Sequence, residues 1–273
     1  MELDGKVAIV TGASRGVGAA AALMLAERGC KVVCAARATD AAPVPIPGTI
    51  DETVRRIRDA GGQAIAVPTN LAKDAEVERM ITSTVEQLGP VDILVNNAAI
   101  TFPGDLDLDM KRFDLLMQVD VRAPLLAIQA VMPSMKARRT GSILNISSIA
   151  GLNYFPGLMA YGMAKAALEH LTVSAAHQLR PFEIAVNTFR IDVPVASEGF
   201  VFNLPDVDHS DWEPSEVAAE GIVWMLEQPA SYTGHNVGMA RLRTEAGIMA
   251  SRAQRPHSMQ TAIVTDTHLR PPT

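Results

Sequence analysis

From Lys6 to about residue 240 the chain alternates short β-branched runs with longer amphipathic segments, and this alternation leaves few folds open. Strands are predicted at 7–11, 31–35, 64–67, 93–96, 142–146, 184–188 and 235–239. Helices are predicted at 17–29, 50–60, 73–88, 110–136, 158–180 and 214–227. Near-continuous apolar strands, each followed by a helix, predict a parallel sheet covered on both faces. Right-handed crossovers then give a doubly wound α/β fold, with its ligand crevice at the carboxyl ends of the strands where the winding reverses. Two segments interrupt the pattern. The stretch 38–49 (ATDAAPVPIPGT) carries three prolines and reads as an extended loop; residues 197–212 read as an irregular flap. Residues 1–250 are expected to form one domain and 251–273 a tail. No repeat is visible.

The chain has 273 residues, 48% of them hydrophobic and 20% charged, with a formal net charge of −6. A mildly acidic surface gives no electrostatic attraction to nucleic acid, so no nucleic-acid partner is expected. No apolar stretch reaches the ~18 uncharged residues of a membrane span, and the N-terminus lacks the pattern of a signal peptide. Two cysteines, Cys30 and Cys34, are too few for a disulfide framework. The expectation is a cytoplasmic protein without a membrane partner.

The first strand runs into Gly12-Ala13-Ser14-Arg15-Gly16-Val17-Gly18 and then an alanine-rich helix. Glycines permit a tight turn and close approach of backbone to a pyrophosphate, which the helix N-terminus attracts. The spacing Gly-x-x-x-Gly-x-Gly differs from the Gly-x-Gly-x-x-Gly fingerprint, and no Gly-Lys-Ser/Thr follows, which disfavours nucleoside triphosphate chemistry. An ordinary glycine-rich turn is the alternative; a hydroxyl at Ser14 and a cation at Arg15 count against it. The second strand ends Ala35-Ala36-Arg37, where a ribose-binding acid is the rule for NAD(H) and a cation accommodates the 2′-phosphate of NADP(H). Arg37, together with Arg15, favours NADP(H); NAD(H) stays open, as does a merely solvated Arg37.

Tyr161 and Lys165 are four residues apart on a predicted helix, hence on one face. A lysine ammonium near a phenol favours the phenolate and prepares it to exchange a proton with substrate. Ser148, thirteen residues earlier and just past a strand's carboxyl end, lies where this fold binds ligands, although a loop-capping serine is the plainer reading.

TGASRGVG at 11–18, NNAA at 96–99, Ser148 and YGMAK at 161–165 occur in the order and spacing of the short-chain dehydrogenase/reductase superfamily, which the sequence resembles over residues 5–240. The resemblance implies a Rossmann-type sheet of seven parallel strands, usually in a homodimer or homotetramer, and a small-molecule alcohol or carbonyl substrate. It implies Tyr161 as general acid/base, Ser148 as the residue orienting the substrate, and Lys165 as holder of the nicotinamide ribose. Asn70 and Leu71 resemble the pair beside the adenine, Asn97 and Ala98 the turn beside the cofactor. The proline loop before Gly48 and the runs 231–234 and 245–248 are similar to hydroxysteroid-dehydrogenase-like and citronellol-dehydrogenase-like members, which implies a hydrophobic substrate. Two positions depart from the family. Asp120 stands where an asparagine usually completes a proton relay; its charge would oppose the Tyr161 phenolate while supporting the Lys165 cation. Arg190-Ile191-Asp192-Val193-Pro194 replaces the usual Pro-Gly turn over the nicotinamide.

The leading expectation is an NAD(P)-dependent oxidoreductase. A nucleotide-binding sensor or subunit with little catalysis is the alternative, motivated by Asp120 and Asp192. A lyase or epimerase using the cofactor transiently has nothing in its favour. The histidines show no ligand spacing and no metal is expected. Met159 and Met163 read as core or pocket wall, and Phe200, Trp212 and Trp224 as candidates for the substrate side.

Overall fold

The computed structural model describes residues 1–255; the part of the expected tail beyond residue 255 lies outside them. Seven strands, β1 (Val7–Thr11), β2 (Lys31–Ala36), β3 (Gln63–Pro68), β4 (Ile93–Asn96), β5 (Gly141–Ser148), β6 (Ile184–Ile191) and β7 (Asn236–Gly238), form one sheet. All pairings are parallel, in the order β3-β2-β1-β4-β5-β6-β7. The winding reverses between β1 and β4, so the crevice opens above their carboxyl ends. β1 and β4 are buried at every position, because helices cover both faces. Alternate residues of β1 feed the two layers: Ala8 and Val10 pack with α1 (Gly16–Glu27) and α8 (Ser215–Glu227), and Ile9 with α3 (Asp74–Leu88) and α5 (Ala123–Arg138). The small side chains of α1 let it rest closely on α8.

The element pattern expected from periodicity is present, with three differences. The segment expected as one helix over 110–136 is α4 (Met110–Met117), a π-turn over Gln118–Arg122 and α5. A π-turn adds one residue to a turn and shifts the phase of the face that follows, but it keeps the chain helical on both sides, so the run reads as one helix. Residues Glu198–Asn203, expected as irregular, form the short helix α7. A helix not foreseen, α9 (Met239–Ala246), follows β7 directly. It is fastened by Asp192, whose Oδ1 accepts the Ala240 amide at 3.0 Å. The departure from Pro-Gly after β6 thus places a carboxylate at a helix N-terminus, where an anion is stabilised.

The run 110–138 is long and apolar enough by length and composition to cross a membrane. Here α5 packs on α3 and the π-turn on α6 (Met159–Leu179), which accounts for its hydropathy. Cys30 and Cys34 are buried free thiols, each pushed up to about 12 chiefly by burial.

Candidate active site

The turn from β1 into α1 is built by backbone that only glycine adopts without strain: φ is +70° at Gly12 and +56° at Gly16. A Cβ on Gly12 would meet Ala98 Cα and Asn97 Nδ2 at 2.9 Å, and one on Gly18 would collide with the Gly12 carbonyl. Thr11 locks this turn to the next: its Oγ1 accepts the amides of Asn97 and Ala98 at 3.0 and 3.1 Å, and its carbonyl accepts Asn97 Nδ2 at 2.8 Å. No side chain caps α1 and no acid lies in its first turn, so its amides face a cleft of about 540 Å³. Gly12, Ser14, Arg15, Gly16, Val17, Gly18, Arg37, Asn70, Leu71, Asn97, Ala98, Tyr161 and Lys165 all line that cleft. Ser148 and Asp120 are not among its lining residues; Ser148, partly exposed, hydrogen-bonds Tyr161, which is. The volume suits an extended organic ligand, and the close-packed glycines and uncapped helix suit its phosphates.

The two arginines expected at the phosphate end behave differently. Arg15 spends its guanidinium on the proline loop, donating to the carbonyls of Ile46, Pro47 and Gly48 at 2.8, 2.6 and 2.7 Å. Loop 38–49 is thereby held as a wall, with Val44 and Ile46 in the lining. Arg37 is exposed at the cleft edge, without an ion-pair partner among the described residues. Asn70 makes a local turn: its Oδ1 accepts the Ala72 amide at 3.1 Å. The flap also reaches this end. A Cβ on Gly16 would lie 3.0 Å from Ser197 Cβ and 3.3 Å from Glu198 Oε2, and Glu198 acts electrostatically on Arg15.

At the other end, α6 presents Tyr161 (8% exposed) and Lys165 (2%) on one face. Lys165 Nζ lies 5.3 Å from the centroid of the Tyr161 ring and donates to the Ile146 carbonyl at 2.9 Å. Ser148 combines both expectations for it: its Oγ accepts the Ala150 amide at 3.2 Å and it hydrogen-bonds Tyr161. At Tyr161 the upward influences prevail. Burial and the Asp120 carboxylate push Tyr161 up, and the bond to Ser148 only partly opposes them. Burial lowers Lys165, against the pull of Asp120 and Glu169. Asp120, on the π-turn, is 1% exposed and is pushed up to about 6, chiefly by burial, despite Lys165 and the Ile100 amide.

Beneath these groups lies a buried ion pair that sequence reasoning missed. Glu169 receives Arg190 through both oxygens at 2.6–2.8 Å and Ser147 Oγ at 2.7 Å. The available signal was position: Glu169 is one turn beyond Lys165 on the same helix face. Thr101, whose buried hydroxyl has no partner among the described residues, also lines the cleft; nothing in its sequence neighbourhood marks it. Of the candidate aromatics, Phe200 lines the cleft and packs edge-on with Trp212 at 6.5 Å. Trp224 packs instead with Tyr232, at 5.9 Å, and does not line the cleft.

Residues 6–192 match the short chain dehydrogenase family. Hydroxysteroid dehydrogenase-like protein 2 of Bos taurus is 31% identical over 250 residues, covering 90% of this chain and 59% of that one. The Mus musculus protein of the same name is 32% identical over 90% of this chain and 51% of its own. The chain therefore spans only about half to three-fifths of the length of these relatives. An uncharacterized oxidoreductase of Thermotoga maritima is 39% identical over 188 residues, 68% of this chain and 71% of its own. Among solved structures, a metagenomic short-chain oxidoreductase in complex with NADP superposes with a TM-score of 0.72 at 29% identity, covering 87% of this chain and 97% of its own. A crystal structure assigned as a dehydrogenase from Xanthomonas campestris gives 0.82 at 30% identity, over 94% and 96%.

Proposed function

As the chain belongs to the short-chain dehydrogenase family, we propose that it is an NADP(H)-dependent oxidoreductase that interconverts an apolar alcohol with its ketone or aldehyde, using Tyr161 as general acid/base. One observation carries this reading. A single cleft has the glycine cradle and α1 N-terminus at one end and the Tyr161–Lys165 pair at the other.

When bound, the nicotinamide supplies or accepts the hydride. The chain does the rest. The amides of the glycine turn and the α1 N-terminus hold the pyrophosphate. Arg37 takes the 2′-phosphate, a preference supported by the NADP found in the metagenomic relative. NAD(H) remains the secondary cofactor. Lys165, fixed by the Ile146 carbonyl, presents its ammonium to the ribose and to Tyr161. Ser148 hydrogen-bonds the substrate oxygen beside Tyr161, and Tyr161 exchanges the proton with that oxygen. Ile100, Phe102, Leu115 and Phe200 line the cleft and exclude water around an apolar substrate. A homodimer or homotetramer is supported by exposed Leu125 on α5 and Met163 and Val173 on α6. The two free thiols suit the reducing cytoplasm. Residues 1–250 act as one catalytic domain.

The test is absorbance at the reduced-nicotinamide band with a panel of alcohols, ketones and aldehydes, comparing the protein with Tyr161→Phe. Turnover that falls by about 100-fold or more in the variant, with dinucleotide binding kept, is expected. Dinucleotide binding without turnover by the wild-type protein on any member of the panel would replace this reading with a nucleotide-binding sensor.

A further inference from the structure

The flap 197–212 lies across the cleft but has little of its own to hold it there. Ser197, Gly199, Phe200 and Asn203 line the cleft, and Ser197 Cβ stands 3.0 Å from the Cβ position of Gly16 in the glycine turn. No residue of α7 is buried, and Phe202, Leu204 and Val207 are exposed. A segment with so few buried apolar contacts opens easily unless it is tied from outside. Its neck is closed by two backbone bonds: Ala196 donates to the Glu213 carbonyl at 2.8 Å, and Glu213 to that of Pro194 at 2.9 Å.

The chain beyond α9 supplies the ties. Met249, buried and at φ +56°, turns it back toward the flap. The side chain of Glu213 is fully buried; its Oε1 accepts Arg243 Nη2 at 2.9 Å and its Oε2 the Arg252 amide at 2.8 Å. Ser251 hydrogen-bonds the same carboxylate, and Arg243 Nε donates to the Met249 carbonyl at 2.7 Å. Further on, Arg255 donates its amide to the Ser210 carbonyl at 2.9 Å and its Nε to Ser210 Oγ at 2.5 Å, and pairs with Asp208. Arg252 pairs with Glu220 of α8. From the flap the contacts lead inward. Trp212 packs on His209 at 4.4 Å and on Phe200 at 6.5 Å, and Phe200 lines the cleft.

We propose that residues 251–255 are a strap that holds the flap shut over the cleft, and that Glu213 is the positioning residue fastening this strap to the flap's neck. The inference rests on the reading of the cleft as a dinucleotide site given above. One carboxylate, with both oxygens bonded inside the protein, fixes the neck, α9 and the strap at a single point. The clasp is graded. Glu213 and Arg243 are shielded from water, whereas the Arg252–Glu220 and Arg255–Asp208 pairs are exposed and weak. The strap therefore peels from its far end while Glu213 stays tied. Peeling frees 208–212, and with it the Trp212 ring that backs Phe200, so the flap lifts and a bound ligand leaves.

The experiment uses the full chain carrying Trp224→Phe, which leaves Trp212 as its single tryptophan. In that background Arg252→Ala/Arg255→Ala removes two exposed side chains, and Glu213→Gln removes the charge at the knot. Acrylamide quenching of Trp212 should rise in both. NADPH dissociation, followed by its fluorescence on displacement, should quicken by about 2- to 10-fold in the arginine variant, the worth of two exposed ion pairs. Lysine at both positions should restore most of either change. A merely structural strap would lower the thermal midpoint and leave the dissociation rate alone. Dissociation at the parent rate in the folded variants overturns the proposal, and so does unchanged quenching of Trp212. Should Glu213→Gln not fold, the arginine variant decides alone. A parent protein that binds no dinucleotide would sink the functional reading instead, and the Trp212 quenching would then decide the clasp by itself.

Discussion

Arg15 donates from Nη2 to the Gly48 carbonyl oxygen at 2.7 Å, tying the glycine turn after β1 to the proline loop. With Nε and Nη2 satisfied by loop carbonyls, Arg15 acts as a strut, and under the proposed function discrimination of a 2′-phosphate would fall to Arg37. Arg37→Ala should weaken NADP(H) by about 10- to 100-fold, the worth of one charged hydrogen-bonding contact, and change NAD(H) little. Arg15→Ala should weaken both cofactors to a similar degree, because it frees the wall they share. Binding titrations with the two dinucleotides read this directly. Equal losses for both cofactors in Arg37→Ala would remove Arg37 from the specificity role.

The flap brings Glu198 to the same end, 3.3 Å from the Cβ position of Gly16. A carboxylate there competes with a pyrophosphate for the α1 N-terminus and for Arg15. Glu198→Gln should therefore tighten NADPH binding at low ionic strength by about 2- to 5-fold, within the range of exposed charge pairs. The gain should shrink as salt approaches physiological strength and beyond. Fluorescence titration of NADPH at two salt concentrations checks both halves of the claim. No tightening at low salt means Glu198 does not face the phosphates.

Much of this architecture was legible because it follows from periodicity and backbone sterics. Apolar strand runs such as 7–11 and 93–96 leave no solvent face, and Gly12 and Gly16 adopt positive φ angles that favour glycine. The Tyr161–Lys165 pair was legible because helix geometry fixes which residues share a face. What periodicity could not carry was the electrostatics across elements. The direction of the Tyr161 shift depends on burial and on Asp120, which is carried by a π-turn inside the run expected as a single helix. Likewise the partner of Arg15 is set by where the proline loop folds back, and the role of Asp192 by a helix after β7 that no cap residue within that helix announces.

The Glu169–Arg190 pair joins α6 to β6 with side chains only 8% and 12% exposed. Removing one member strands the other charge, so Glu169→Ala should cost about 3–5 kcal/mol. For a chain of this size that lowers the thermal midpoint by roughly 6–20 °C. The double variant Glu169→Met/Arg190→Met should be more stable than Glu169→Ala, since no charge is left buried alone. Thermal unfolding of both variants decides it. If the double variant unfolds lower than the single one, the pair is held by more than mutual charge compensation.

Asp120 also makes a prediction for stability, with a definite sign. Its folded-state carboxyl is raised to about 6, mainly by burial, above its value in an unfolded chain. Ionisation is thus harder in the folded protein, and the cost is absent at pH below the ordinary carboxylate range. It grows as pH rises through about 4 to 6, and is complete above about 6. The full cost is about 3 kcal/mol, at about 1.4 kcal/mol for each tenfold change in proton affinity. A carboxamide cannot ionise, so Asp120→Asn should stabilise the protein by up to about 3 kcal/mol at about pH 7–8, and by little near pH 4. Denaturant unfolding at a series of pH values measures the difference between the two proteins. A gap that is constant across pH would show that Asp120 does not titrate in this window, and a gap that widens toward acid would reverse the sign of the relation drawn between its burial and its charge.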